Sequence, residues 1–287
     1  MILTPPFASP ADAPIGVFDS GAGGLSVLRH IRAQLPQEDL LYFADAGYAP
    51  YGGKPESVLV ERALAIAAFF LERGAKALVV ACNTATIAAI KALRARYPEM
   101  PIVGVEPGLK PAAALTRSGK VGVLATEAAL AGEKFLLLRA HISAASDVEF
   151  LLQGCPGLAD QIDRGQLDTP ATVALLRRYI VPLLEQGADT LVLGCTHYPF
   201  VLGAIEDIIG RDVARPIALV DTGDAVARQL ARLLATGGLL RGQEPRLARL
   251  QGYTSTAAGT LSAAFASLLA LHPPVEQIRL LSKIENI

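Results

Sequence analysis

Two stretches of the sequence share one pattern: residues 74–84 read GAKALVVACNT and residues 187–197 read GADTLVLGCTH. In each, a short apolar run ends in a cysteine, small polar residues follow, and a helical pattern comes next. An apolar run of this kind predicts a buried strand of a parallel sheet. Each cysteine is therefore predicted where a strand turns into a helix, at the edge where open α/β sheets bind ligands. If the two copies face each other, two thiols converge on one cleft, where they suit acid–base chemistry on opposite faces of a small substrate.

Strand and helix patterns alternate along most of the chain, and the order of patterns repeats. Residues 120–124 resemble 15–19, and residues 217–221 resemble 102–106, so the paired segments are offset by about 105 to 115 positions. With the two cysteine segments, these make three pairs of segments in the same order. Such an order indicates an internal duplication, although chance similarity between strands is the alternative. Repeated strand–helix–strand units predict an α/β fold with mainly parallel sheets. Residues 247–287 fall outside the duplication and contain a helical pattern at 257–271.

Composition narrows the class of protein. The chain has 287 residues, 52% of them hydrophobic and 18% charged, which predicts a well-packed globular protein. The formal net charge is −1 and no basic cluster stands out, so we expect neither a nucleic-acid nor a membrane partner. The apolar runs are far shorter than the roughly 20 residues that span a bilayer. Residues 1–14 lack the features of a secretory signal and are predicted to be a mobile tail.

The chain has three cysteines, Cys82, Cys155 and Cys195. An odd number in a chain with a large apolar core does not indicate a disulfide framework, and free thiols imply a cytoplasmic location. Cys155 lies in a turn-like sequence and is interpreted as structural. No second Cys/His pair accompanies Cys195 and His197, so we expect no metal site. A single Cys–His nucleophile remains an alternative, but it leaves Cys82 without a purpose.

Ionisable and small polar residues accompany both thiols. Asp19 ends the first predicted strand, and His197 follows Cys195 by two residues; either group could take or hold a thiol proton. Asp19 as a helix N-cap and His197 as a packing residue are the alternatives. Hydroxyl and amide groups at helix N-termini can bind carboxylates, although simple capping also explains them; they are Ser20, Asn83, Thr84, Thr126 and Thr196. The glycines in residues 21–24 do not match the spacing of a dinucleotide-binding loop.

Four motifs together identify a family. Residues 19–27 read DSGAGGLSV, residues 50–52 PYG, residues 81–86 ACNTAT and residues 194–199 GCTHYP. In this order they resemble the signature motifs of glutamate racemases, in the aspartate/glutamate racemase superfamily, and the resemblance extends over residues 15–271. It implies cofactor-independent interconversion of L- and D-glutamate by a two-cysteine, two-base mechanism that supplies D-glutamate for peptidoglycan.

The resemblance also implies an architecture and roles for residues. The fold would be two pseudo-symmetric doubly wound α/β domains, 15–108 with 218–287 and 109–217, with the active site in the cleft between them. Cys82 would deprotonate the D enantiomer with help from Asp19, and Cys195 the L enantiomer with help from His197. Glutamate would be held by Ser20, Tyr51, Gly52, Asn83, Thr84, Thr126 and Thr196. Asp45 and Asp163 would be auxiliary acids, and the family often forms homodimers.

Two positions depart from the family pattern. Asp163 stands where the family usually has a glutamate, and Ala129 stands where it often has a threonine. These departures keep a second hypothesis open, a racemase of the same superfamily that acts on aspartate or another small acidic amino acid. A third hypothesis is an amino-acid-binding or regulatory protein that kept the cleft and lost turnover.

Overall fold

The computed structural model describes residues 10–213, 215–242 and 247–280. Its helices and strands alternate along most of the chain, and at two places two helices follow one another. In chain order they are β1 (Ile15–Asp19), α1 (Leu25–Gln34), β2 (Leu40–Ala44), α2 (Glu56–Glu72), β3 (Ala77–Val80), α3 (Asn83–Arg96), β4 (Ile102–Gly104), α4 (Leu109–Leu115), β5 (Lys120–Ala125), α5 (Glu127–Ala131), α6 (Glu133–Ser146), β6 (Glu149–Gly154), α7 (Leu158–Asp163), α8 (Pro170–Glu185), β7 (Thr190–Leu193), α9 (Leu202–Asp212), β8 (Ala218–Val220), α10 (Gly223–Thr236), β9 (Leu250–Thr254), α11 (Ala258–Leu269) and β10 (Val275–Gln277).

The chain divides into two compact units, residues 1–105 with 223–287 and residues 106–222. The first unit contains a six-stranded sheet in the order β10-β9-β2-β1-β3-β4, and its described strand pairs are all parallel. Apart from Asp19, strands β1, β2 and β3 consist of apolar residues that are almost all buried, as expected for strands covered on both faces. One face packs Phe18 and Phe43 against α2 and α3. On the other face, Tyr42 contacts Phe265 of α11 edge to face.

The second unit contains a four-stranded parallel sheet in the order β6-β5-β7-β8. This order repeats that of β2-β1-β3-β4 in the first sheet. In the first sheet β1 lies between β2 and β3, and in the second sheet β5 lies between β6 and β7. The two predicted cysteine segments therefore occupy equivalent places, after β3 and after β7. The predicted fold class, α/β with mainly parallel sheets in two units, is confirmed.

The structure differs from the sequence-based boundaries at three places. The first unit ends at residue 105 rather than at 108. The boundary expected between residues 217 and 218 would put β8 in the first unit, but β8 pairs with β7, so the second unit continues to residue 222. Residues 10–14 were assigned to a mobile tail, yet Pro10–Asp12 form a 3-10 turn, and Lys76 donates hydrogen bonds to the Ala11 carbonyl and, from its backbone N–H, to the Pro14 carbonyl. Residues 1–9 of that predicted tail lie outside the described residues.

The C-terminal part of the chain returns to the first sheet. Strand β9 pairs with β2 along its length, and β10 pairs with β9. Tyr253 of β9 packs edge to face on Phe69, which joins this extension to the core under α2. In the part of the chain that the structure describes, no helix is both long and apolar enough to cross a bilayer.

Candidate active site

The first cysteine lies at the carboxyl edge of the first sheet. Cys82 follows β3 by two residues and directly precedes α3, in the extended conformation of an N-cap residue. Asp19 is the last residue of β1, the strand that pairs with β3. Because β2 and β3 lie on opposite sides of β1, the chain changes direction across the sheet at this place. Open α/β sheets bind their ligands at such a switch point.

The carboxylate of Asp19 is fully buried and held by backbone groups. The N–H of Ser20 donates to Oδ1 at 2.7 Å, and the N–H of Gly24 donates to Oδ2 at 2.6 Å. Position 24 has no room for a side chain, because a Cβ there would lie 2.7 Å from the Cβ of Asp19 and 3.1 Å from that of Ala81. The loop at residues 20–24 therefore wraps closely around the carboxylate at the strand end.

This environment favours the neutral form of the Cys82 thiol. Burial raises the pKa of Cys82, and the charge of Asp19 and a hydrogen bond to its carboxylate raise it further. The Ser20 hydroxyl, whose Oγ lies 3.6 Å from Sγ, and the N–H of Ala85 oppose the increase without cancelling it. The net result is a strongly raised pKa. Cys82 is therefore a protonated thiol at neutral pH.

Asp45 and Tyr51 belong to a buried network beside this cysteine. Asp45 directly follows β2 and forms an ion pair with Arg62 of α2, with Nη2 2.7 Å from Oδ1 and Nε 3.0 Å from Oδ2. The Tyr51 hydroxyl donates to Asp45 Oδ2 at 2.6 Å. Burial raises the pKa of Tyr51, and the negative charges of Asp45 and of an ionised Cys82 add to this. Asp45 therefore holds Tyr51 in place through its carboxylate.

The second cysteine lies at the equivalent edge of the second sheet. Cys195 follows β7 by two residues and is separated from it by Gly194. The N–H of Gly194 donates to the Leu124 carbonyl of β5 at 2.7 Å, and a Cβ at Gly194 would lie 2.9 Å from that oxygen. The glycine thus lets the chain pass close to β5 as it leaves the sheet. It presents Cys195 beside the end of β5.

Cys195 belongs to a cysteine–histidine–aspartate chain. Sγ of Cys195 lies 3.5 Å from Nδ1 of His197, and Nε2 of His197 lies 3.0 Å from Oδ1 of Asp163 at the end of α7. Burial lowers the pKa of His197, but the negative charge of an ionised Cys195 and the hydrogen bond to Asp163 outweigh burial, so the net pKa is raised well above its usual value. An imidazolium at His197 uses both ring N–H groups, one toward each neighbour.

The remaining predicted residues lie around these two edges. The Thr126 hydroxyl accepts the N–H of Ala129 at 3.2 Å and caps α5, so the capping alternative describes its present contact. Asn83 and Thr84 begin α3, where backbone N–H groups point out of the helix. Thr196 is buried between Cys195 and His197, and Gly52 is half-buried after Tyr51.

Comparisons with known proteins identify the family of this chain. The sequence profile of the family described as Asp/Glu/Hydantoin racemase matches residues 15–230. A glutamate racemase of Methylococcus capsulatus is 53% identical over 267 residues, which are 93% of this chain and 94% of the relative. The chain belongs to the glutamate racemase family. Among solved structures, the glutamate racemase isoform of Bacillus anthracis has a TM-score of 0.82 at 28% identity, with 94% of this chain and 99% of that chain covered.

A second solved relative carries ligands. The Escherichia coli glutamate racemase, in complex with L-glutamate and the activator UDP-MurNAc-Ala, has a TM-score of 0.80 at 31% identity. The alignment covers 94% of this chain and all of that one. As a glutamate racemase, this chain is an amino-acid isomerase. In its described residues, no three His, Cys, Asp or Glu side chains form a set that could hold a metal ion.

Two buried residues near the predicted site residues are not singled out by the sequence motifs: Arg62, which pairs with Asp45, and Cys155, which is interpreted as structural. Arg62 is 1% exposed and lies on the apolar face of α2, with Leu59, Ala63 and Ile66 at helical spacing. A basic residue at a core position was the available signal. Cys155 lies after β6, where burial raises its pKa to about 12, and packs in the same core cluster as Cys195.

Proposed function

We propose that this racemase interconverts L- and D-glutamate without a cofactor, with Cys82 and Cys195 as its two acid–base groups, and supplies D-glutamate for peptidoglycan in the cytoplasm. The observation that carries the proposal is the pair of thiols at equivalent strand ends with different partners. One thiol lies beside the buried carboxylate of Asp19, and the other lies beside His197, which Asp163 supports. A two-base reaction needs one proton donor and one proton acceptor at the same time.

The direction from L- to D-glutamate begins with Cys82 as a thiol and Cys195 as a thiolate paired with the His197 imidazolium. The Cys195 thiolate removes the Cα proton of L-glutamate, and the electron pair of the broken C–H bond delocalises into the α-carboxylate. The S–H of Cys82 then gives its proton to the opposite face of Cα. The product is D-glutamate, with Cys195 as a thiol and Cys82 as a thiolate, so atoms and charge balance.

The reverse direction begins from that second protonation state, with Cys82 as the base. The Asp19 carboxylate lies close enough to accept the Cys82 proton in a hydrogen bond, and the Ser20 hydroxyl can stabilise the thiolate when it forms. An ordinary cysteine has a pKa of about 8.5, which makes its thiolate a weak base for a Cα proton. Positioning of the substrate and exclusion of water therefore supply much of the rate.

The carboxylates of glutamate would be bound by groups that end the strands and begin the helices. α3 has 14 residues, and its first N–H groups and the side chains of Asn83 and Thr84 lie directly after Cys82. A helix N-terminus favours an anion. We also assign substrate binding to Ser20, Tyr51, Gly52, Thr126 and Thr196, and an auxiliary role to Asp45 and Asp163.

Deuterium incorporation tests the two-base mechanism. The purified protein is incubated with L-glutamate in heavy water without added cofactor, the enantiomers are separated early in the reaction, and their masses are measured. A two-base racemase delivers the deuteron to the product face, so D-glutamate is deuterated while the remaining L-glutamate is not. Equal labelling of both enantiomers would instead indicate a single base that serves both faces.

Cysteine variants give the matched comparison. Cys82→Ser and Cys195→Ser should each reduce racemisation by at least about a thousandfold, in the range of the loss of a catalytic acid or base. Cys155→Ala removes the third buried thiol and should keep racemisation within a few-fold of the parent. Parent-like racemisation by either serine variant would refute the two-base account. Racemisation of aspartate without glutamate would change the substrate and keep the mechanism.

The homodimer remains a prediction for this chain. Sedimentation velocity over a range of protein concentrations measures it directly.

A further inference from the structure

Arg62 is the largest fully buried side chain of the described residues, and it contacts Asp45 and Tyr48 in the segment that precedes Tyr51 and Gly52. Its guanidinium binds both carboxylate oxygens of Asp45, stacks 3.7 Å above the centre of the Tyr48 ring, and donates to the Leu280 carbonyl at 3.5 Å. Both charges of the ion pair are buried, at 1% and 0% exposure. Two-pronged pairing of this kind fixes the angle of the carboxylate as well as its distance.

The carboxylate in turn fixes Tyr51. Oδ2 of Asp45 accepts the Tyr51 hydroxyl at 2.6 Å and also the Nε of Arg62. A tyrosine hydroxyl has a single proton, and here it is committed to Asp45. Any second partner of the Tyr51 hydroxyl oxygen must therefore be a hydrogen-bond donor, such as the α-ammonium group of an amino acid. The backbone is anchored as well, because the N–H of Asp45 donates to the carbonyl of Asp19.

We propose that Arg62 is a positioning residue for the amino-acid substrate. It neutralises and orients Asp45, Asp45 orients Tyr51, and Tyr51 with Gly52 meets the substrate beside Cys82. The inference rests on the proposed function, because it assigns Tyr51 and Gly52 to substrate binding. Arg62 itself touches neither the thiols nor the reacting atoms in this arrangement, so its effect passes through the tyrosine.

The replacement Arg62→Lys tests this, because lysine keeps the charge that compensates Asp45 and loses the planar fork. We expect KM for L-glutamate to rise about tenfold while kcat stays within about threefold, since a group that holds the substrate equally in the ground and transition states acts on KM. Arg73→Lys is the matched control. Arg73 directly follows α2 and stacks on Phe69 at 3.5 Å, and among the described residues no hydrogen bond or ring contact joins it to a predicted site residue, so KM should not change in this variant.

A double-mutant cycle with Tyr51→Phe separates positioning from stability. Tyr51→Phe alone should raise KM to a similar degree, and adding Arg62→Lys to it should change KM by less than about twofold, because both act through one hydroxyl. If Arg62→Lys does not fold, the neutral pair Asp45→Asn with Arg62→Gln replaces it, since it leaves no unpaired buried charge.

The outcomes are distinct from those of the proposed function. A parent protein that racemises no glutamate refutes the proposed function before any variant is compared. An active parent with an unchanged KM in Arg62→Lys, with independent effects of Arg62→Lys and Tyr51→Phe, or with only a lower melting temperature, refutes the positioning role of Arg62.

Discussion

The replacement Asp19→Asn should convert Cys82 from a poor thiolate former into a better one. Ser20 Oγ lies 3.6 Å from the Cys82 sulfur and 3.4 Å from Asp19 Oδ1, so the sulfur and the carboxylate are at most about 7 Å apart. Two unit charges at that distance repel by about 2 kcal/mol at an effective dielectric constant of ~20. Asparagine keeps the shape and one of the two oxygens that accept backbone N–H groups, and it removes the charge. The pKa of Cys82 should fall, and its thiolate fraction below the pKa should rise about thirtyfold.

The assay is the rate of iodoacetamide alkylation in a Cys155→Ala/Cys195→Ala background, where Cys82 is the one remaining thiol of the sequence. Rates are followed by mass spectrometry at several pH values, and a tenfold rise per pH unit shows that the thiolate is the reacting form. Ser20→Ala is the opposite control. Its hydroxyl lowers the pKa of Cys82, so its loss should slow alkylation. An unchanged or slower rate in Asp19→Asn would refute the electrostatic role of this carboxylate.

Three further perturbations test the second unit. Asp163→Asn removes the charge that supports His197; because the Asp163 side chain is 45% exposed, we expect a loss of about 1 kcal/mol, or about fivefold in kcat/KM for both enantiomers, measured by circular dichroism. Asp189→Asn should lower the free energy of unfolding in urea by about 1 kcal/mol at pH 7, because Asp189 accepts the N–H groups of residues 117 and 118. Burial alone would raise the pKa of Asp189, but the hydrogen bond from the Thr116 hydroxyl and those from the two backbone N–H groups together outweigh burial and lower the pKa to about 2. The difference should therefore be complete above pH 4 and vanish as the pH falls toward 2; a difference that grows in acid would contradict this. Thr126→Ala should cost about 1 kcal/mol of unfolding free energy through the lost cap of α5, whereas Thr126→Ser should not.

The sequence predicted the places of the two thiols because their determinants are local. A buried apolar run, a turn of small residues and a helix pattern together define a strand end, and the parallel order of strands brings strand ends to one edge. Asp19 and Cys82 are 63 positions apart in the sequence, yet both could be assigned to that edge because they end neighbouring strands. The repeated pattern also predicted the equivalent placement of Cys195.

The contacts that tune the thiols depend on distant segments, which no local pattern specifies. The hydrogen bond between His197 and Asp163 joins α7 to the loop after β7, and the ion pair between Arg62 and Asp45 joins α2 to the loop after β2. Strand β9 mixes Gln251, Gly252 and apolar residues, so its sequence alone gives no clear strand pattern, and only its pairing with β2 defines it. Tertiary context decides such segments.

Under the proposed mechanism, the different partners of the two thiols act on a reaction whose equilibrium constant is one. The ratio of kcat/KM for L- and D-glutamate is therefore fixed at one for any variant, however strongly it disturbs one side. The carboxylate of Asp19 favours the thiol at Cys82, and the raised pKa of His197 favours an imidazolium beside Cys195, so in this mechanism the starting state for L-glutamate is favoured over that for D-glutamate. Because of this preference, kcat differs between the two directions and so does KM. The two differences cancel in kcat/KM. Asp19→Asn should shrink the difference in KM between the enantiomers while kcat/KM falls equally for both, and an unequal fall would show that a step outside racemisation is being measured.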